Sequence, residues 1–209
     1  MAESVIITAP RMQTVRFTLT WTAPLMVQRF AAKAQMMADQ AAGAQAGKRK
    51  AKPPKDFEAL WNRAAYRADD GWYGVNASAF RKASISACRL VNFKMTIAKL
   101  TIFVEADGFD VEEGTPLVRI TRGEPEANYM NVRLPTGVMD IRARPLWRTG
   151  WQMQPRVRWD AAQFSLQDIT NLFSRVGMQV GIGEGRPDSR DSAGMGYGLF
   201  EIAKIEQIG

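Results

Sequence analysis

The chain has 209 residues, 46% hydrophobic and 23% charged, enough for one well-packed core with insertions. Its 28 basic residues against 21 acidic give a formal charge of +7, a balance that suits a polyanionic partner. Histidine is absent and Cys88 is the one cysteine, which excludes histidine-assisted nucleophiles and bases, an internal disulfide and a cysteine metal cluster.

With no charged-then-apolar leader and no apolar run of about 18 residues, the expected setting is cytoplasmic and off the membrane. Thr14 to Trp21 alternates, with Val15, Phe17, Leu19 and Trp21 on one face and Arg16, Thr18 and Thr20 on the other, the pattern of a half-buried strand. Ala23-Pro24 ends it, and Leu25-Met26-Val27 can continue an edge. Residues 31–56 change character. An Ala, Gln and Met tract leads to Lys48, Arg49, Lys50, Lys52 and Lys55 around Pro53-Pro54, and Gly43, Gly47 and the prolines predict a flexible basic insertion. Such a cation cluster would contact phosphates; a solvated tip that touches nothing is the equal alternative.

Phe57 to Tyr73 interleaves Trp61, Tyr66, Trp72 and Tyr73 with Arg63 and Arg67. Trp61 is expected in the core, and Tyr73, beside Gly71 and Gly74, is the more open candidate for stacking on a base. Residues 77–91 carry the clearest helical period. Phe80, Ala83, Ser84, Ala87, Cys88 and Val91 make an apolar face of small residues, and Ser78, Lys82, Ser86 and Arg89 form the opposite stripe, with Arg81 beside it. Cys88 therefore reads as a packed thiol. Short strands are predicted at 100–104 and 117–121, around an acidic turn at 107–114. Further on, Met139, Ile141 and Ala143 alternate with Asp140, Arg142 and Arg144. Trp151, Met153, Val157 and Trp159 then alternate with Gln152, Gln154, Arg156 and Arg158, so two strands present arginines on a polar face. The adjacent pairs Asp69-Asp70 and Glu112-Glu113 sit in turn-like sequence and read as solvated carboxylates; no metal site is expected.

Ser165, with Asp168 three residues on, starts a second helix as a capping box. Leu166, Ile169, Leu172, Phe173 and Val176 give its buried stripe, and Gly177 is its expected cap. Seven of the chain's 17 glycines then crowd between Val176 and Ile202, in two clusters around a polar middle that holds Arg186 and Arg190. Glycine at this density implies positive φ or close backbone approach, so a surface loop holding a phosphate backbone or a neighbouring subunit is expected; an irregular turn is the equal alternative. A last strand follows at 198–205.

The order is strand 14–21, helix 77–91, strand 100–104, strand 151–159, helix 165–176, strand 198–205. That predicts an α+β protein, a ferredoxin-like (RRM-like) βαβ-βαβ sandwich in one domain over 1–209. A basic insertion occupies 31–56, and inserted strands and loops occupy 105–150. Arg142, Arg144, Arg156 and Arg158 are expected to line its helix-free face, where single-stranded RNA can be held.

The ending GIGEGRPDSRDSAGMGYGLF resembles the glycine-rich loop of the RAMP superfamily, the ferredoxin-like RNA-binding proteins of CRISPR systems. Tyr73-Gly-Val-Asn-Ala-Ser-Ala-Phe-Arg-Lys-Ala is similar to the segment those proteins place before their first long helix, with Asn76 near the place of their proline. The lysine-rich stretch resembles the thumb-like insertion of the backbone subunits that polymerise along guide RNA, and the ending is also similar to that of small tailed-phage proteins. The resemblance implies a module that holds single-stranded nucleic acid, RNA before DNA. It would pack head to tail with copies of itself or with CRISPR-type subunits. It implies that Gly181, Gly183, Gly194, Gly196 and Gly198 shape the backbone-binding loop and that Lys82 meets phosphate. Processing members often rely on a catalytic histidine, so a binder is expected here, with no catalytic residue and no cofactor. A phage structural or assembly protein, or a phage mimic of a backbone subunit, with protein partners only, is the alternative.

Overall fold

Strand alternation and helix capping build the frame. In the computed structural model, which describes residues 7–30, 34, 56–133, 137, 139–189 and 193–208 (for 132 and 133 the backbone only), the first half holds these elements. They are β1 (Met12–Trp21), β2 (Leu25–Met26), α1 (Phe57–Ala64), β3 (Tyr66–Arg67), β4 (Tyr73–Asn76), α2 (Ala77–Ala87), α3 (Met95–Thr101) and β5 (Ile102–Glu105). The second half adds β6 (Gly108–Phe109), β7 (Pro116–Arg122), β8 (Glu126–Arg133), β9 (Met139–Trp147), β10 (Gln152–Met153), β11 (Arg156–Asp160), α4 (Leu166–Arg175) and β12 (Phe200–Gln207). The fold is α+β. The predicted insertion at 31–56, with Lys48, Arg49, Lys50, Lys52 and Lys55, lies outside the described residues apart from 34 and 56, and so does Arg190.

β1 is the centre of the larger sheet. Val15, Phe17, Leu19 and Trp21 are at most 1% exposed, and Thr14, Arg16, Thr18 and Thr20 are half-buried on the other face. Along one edge β1 pairs with β10 and β11, Leu19 opposite Met153 and Arg16 opposite Arg156; along the other it pairs with β12, Arg16 opposite Glu206. The sequence predicts one strand over 151–159, but Pro155 brings no N–H to the ladder and splits it. β10 consequently turns towards β7, while β11 pairs with β5. The order β5-β11-β1-β12 is antiparallel throughout, and β12 pairs with no other strand among the described residues. Beyond β10, the sheet continues through β7 to β4 and β3. A second sheet, β2-β9-β8, is separate, so Leu25-Met26 starts a new pairing with β9 and does not prolong β1. α1 covers this second sheet, with Phe57 edge-on to Tyr129 at 5.6 Å.

α2 and α4 pack on the inner face of β1. The Phe173 ring stacks on Phe17 at 4.9 Å and lies parallel to that of Phe80 at 6.5 Å; Trp21 stacks on Trp151 at 3.9 Å. α4 starts as its sequence dictates: Ser165 Oγ accepts from Asp168 N at 3.1 Å, and the Asp168 carboxylate accepts from Ser165 N at 2.9 Å. The Ser165 hydroxyl, which donates to the Asp168 carboxylate at 2.6 Å, and then the Ser165 N–H hold that carboxyl below its ordinary pKa. α4 does not stop at Gly177. It runs on through a wider turn, Val176–Val180, and ends at Gly181 with φ 70°. Gly177 is needed for another reason: a Cβ there would collide with the carbonyl oxygen and ring of Phe200.

Two other elements differ from expectation. The predicted strand at 100–104 begins at Ile102, because residues 95–101 are helical. α1 is capped by Asp56, whose Oδ1 accepts from Ala59 N at 3.0 Å, a signal not read from the sequence. Cys88 is fully buried, and burial raises its pKa, so it is an inert thiol.

Candidate functional site

A groove of about 740 Å³ opens between α2 and the segment that follows α4. Its helix wall is the polar stripe read from the sequence, Ser78, Lys82, Ser86 and Arg89. The opposite wall is Gly181 to Glu184 with Arg186, Asp188 and Ser189, and Val27, Gln28 and Phe30 close one end. Tyr66 also lines it; burial, then the charge of Glu113, raises its phenol pKa.

The glycine segment holds its shape by backbone contacts. Ile182 N donates to Gly198 O at 3.0 Å, Glu184 N to Met26 O at 2.8 Å and Gly198 N to Pro24 O at 2.8 Å. A Cβ on Gly198 would collide with Ile182 O, one on Gly194 with Arg186 O, and one on Gly183 with Met26 O at 2.5 Å. These glycines let the loop close on itself and on β2, and Gly196 faces open space.

Of the predicted ligands, the structure brings together Lys82, Gly181, Gly183 and Arg186 at the groove. Two neighbouring cations are already engaged. Arg186 Nη1 donates to Gly183 O at 2.8 Å, and Arg89 Nη2 pairs with Asp188 Oδ1 at 2.5 Å, where Ser86 Oγ also donates to the same carboxylate. Lys82 is exposed and makes no ion pair with a described residue.

The remaining arginines scatter. Arg81, next to Lys82, turns away: its Nε donates to Ile102 O at 3.0 Å, its Nη2 to Lys99 O, and its guanidinium covers Phe103. It ties α2 to α3 and β5. Arg142 and Arg144 do not share the helix-free face with Arg156 and Arg158, because β9 belongs to the second sheet. Arg156 is held by Glu105 at 3.4 Å, Asp107 at 3.3 Å and Ala106 O at 2.7 Å. Arg158 is exposed above Phe103, 5.7 Å from its ring centre.

The carboxylate pairs divide. Asp69 and Asp70 are exposed, as expected. Glu112 and Glu113 are not free turn carboxylates: with the buried Asp110 they surround Arg29, which is 4% exposed, at 2.6, 3.5 and 3.6 Å. Among the described residues no cluster of His, Cys, Asp or Glu could hold a metal ion. Trp61 is half-buried, short of the core position expected; Tyr73, also half-buried, receives a hydrogen bond from Arg67 at 2.7 Å. No helix among the described residues is long and apolar enough to cross a membrane.

No protein-family profile matches the chain, and no curated protein is significantly similar to it.

Proposed function

We propose that the chain is a ferredoxin-like protein that binds the backbone of a single nucleic-acid strand in the groove between α2 and the glycine segment, without catalysing a reaction. The strand order β5-β11-β1-β12, with α2 and α4 on one face, supports the fold. The observation that carries the function is Lys82: an exposed cation in no ion pair with a described residue, on one wall of an open groove whose facing wall combines glycine-shaped backbone with Glu184, Arg186 and the Arg89-paired Asp188. Ser78 and Ser189 add hydroxyls suited to phosphate oxygens, and the net charge of +7 favours a polyanion. The resemblance of the glycine segment to that of RAMP proteins makes RNA the first strand to test. Head-to-tail packing of copies along the strand belongs to the same reading.

Lys82→Ala tests it, because an exposed side chain can be removed without disturbing the fold. Binding to a single-stranded oligonucleotide is followed by fluorescence anisotropy across a salt series. The variant is expected to bind more weakly, with a slope of log affinity against log salt shallower by about 0.7 for the lost phosphate contact. Equal affinity and slope for the two proteins would end this reading.

A further inference from the structure

Arg142 and Arg144 lie two residues apart on β9, and Asn128 on β8 is the direct ladder partner of Arg144, so all three side chains stand on one face of the hairpin. Arg144 is 7% exposed. The Nε of both arginines and Oδ1 of Asn128 are sealed from solvent without a hydrogen-bond partner. Arg29, Arg67 and Arg156 also leave Nε unbonded, but their terminal nitrogens reach carboxylates or, for Arg67, Asn62 and Tyr73. No described residue does the same for Arg142 or Arg144. The acid nearest in effect is Glu184: burial lowers the pKa of Arg144, Glu184 opposes that, and the charge of Arg142 lowers it further.

Glu184 does not outweigh burial and the second guanidinium, since the pKa of Arg144 stays lowered. An unpaired charge in a site this dry costs several kcal/mol, a cost that a bound anion would remove. A carboxylate presents two oxygens, enough for one guanidinium fork. A phosphate presents more acceptors and up to two charges, which matches two forks. We propose that Arg142 and Arg144 form an oxyanion site for a phosphate group on the β8–β9 hairpin. The phosphate comes from a nucleic-acid backbone or from free phosphate; both offer the same oxygens. The site does not line the α2 groove, so it stands whether or not a strand occupies that groove.

Thermal unfolding of the full chain in sodium phosphate and in sodium chloride at equal ionic strength reads the site directly. The wild type is expected to melt higher in phosphate. Arg144→Met, which keeps the bulk and removes the charge, is expected to melt in chloride at or above the wild-type temperature. Its apparent phosphate Kd should be weaker by about tenfold or more, the loss of one charge-assisted pair. Arg142→Gln, at a less buried position, should weaken phosphate binding in the same direction. Adding an oligonucleotide identifies the source: a strand that abolishes the phosphate increment occupies the site, and a strand that leaves it intact assigns the site to free phosphate. Three results would overturn the proposal: no phosphate increment in the wild type, an undiminished increment in Arg144→Met, or a variant that melts several degrees lower in chloride. Because the phosphate series contains no strand, it fails or succeeds independently of the Lys82→Ala titration.

Discussion

β11 and β9 carry the same local pattern, two arginines separated by one residue on a strand, but Arg156 of the first finds carboxylates and neither arginine of the second is in an ion pair with a described residue. On β11, Arg156 faces Glu105 on the neighbouring β5 and reaches Asp107 just beyond it. On β9, the cross-strand neighbours of Arg142 and Arg144 are Met130 and Asn128, and neither neutralises a cation. The alternation decides which face an arginine takes; the strand beside it decides whether the charge is available. Three substitutions probe that difference where the chain supplies its own partners.

The largest effect is expected at Arg29, the most completely paired of these cations. Arg29→Met would take the guanidinium away from the fully buried carboxylate of Asp110, and a loss of about 3–5 kcal/mol in denaturant unfolding is expected. A loss under 1 kcal/mol would mean that the three carboxylates do not need the guanidinium, and pairing would then be a poor guide to the whole molecule. Ser165→Ala comes next, at about 1 kcal/mol, because it removes the cap of α4. This one carries a pH signature. The folded pKa of Asp168 is depressed, so its contribution is present above the unfolded value and is lost as pH falls through the folded one. Wild type and variant should therefore converge in stability on acidification, and parallel acid limbs would show that the Ser165–Asp168 bonds are not the source. The smallest effect belongs to Glu105→Gln, which gives Arg156 a neutral neighbour of the kind found on β9. All the groups involved are about one-third exposed, so less than about 1 kcal/mol should be lost.

Local signals were readable and non-local ones were not. The alternation of Val15, Phe17, Leu19 and Trp21 placed β1, the stripe Ser78, Lys82, Ser86 and Arg89 anticipated one wall of the groove, and Ser165 with Asp168 located the start of α4. Those patterns repeat within a turn or a pleat. The separation of Arg142 and Arg144 from Arg156 and Arg158 depends on which strands become neighbours, and strand order is not a local property. α1 and α3 are only 8 and 7 residues long, too short for an apolar period to stand out. β8 was missed for a related reason: it reads Glu-Ala-Asn-Tyr-Met-Asn-Val-Arg, where large apolar and polar residues do not alternate cleanly. Glycine density anticipated the positive φ and the close backbone approaches of the segment after α4. The contacts that need those glycines, Gly177 against Phe200 and Gly198 against Ile182, join residues that only the folded chain brings together.

The outer side of β12 has a further consequence. Eight residues of extended backbone, with no strand beyond them among the described residues, offer a template on which a stray segment of another molecule can add as a further strand. Glu201, Lys204 and Glu206 punctuate that strand with charges of both signs, so an indiscriminate newcomer meets mismatched electrostatics and only a complementary one is tolerated.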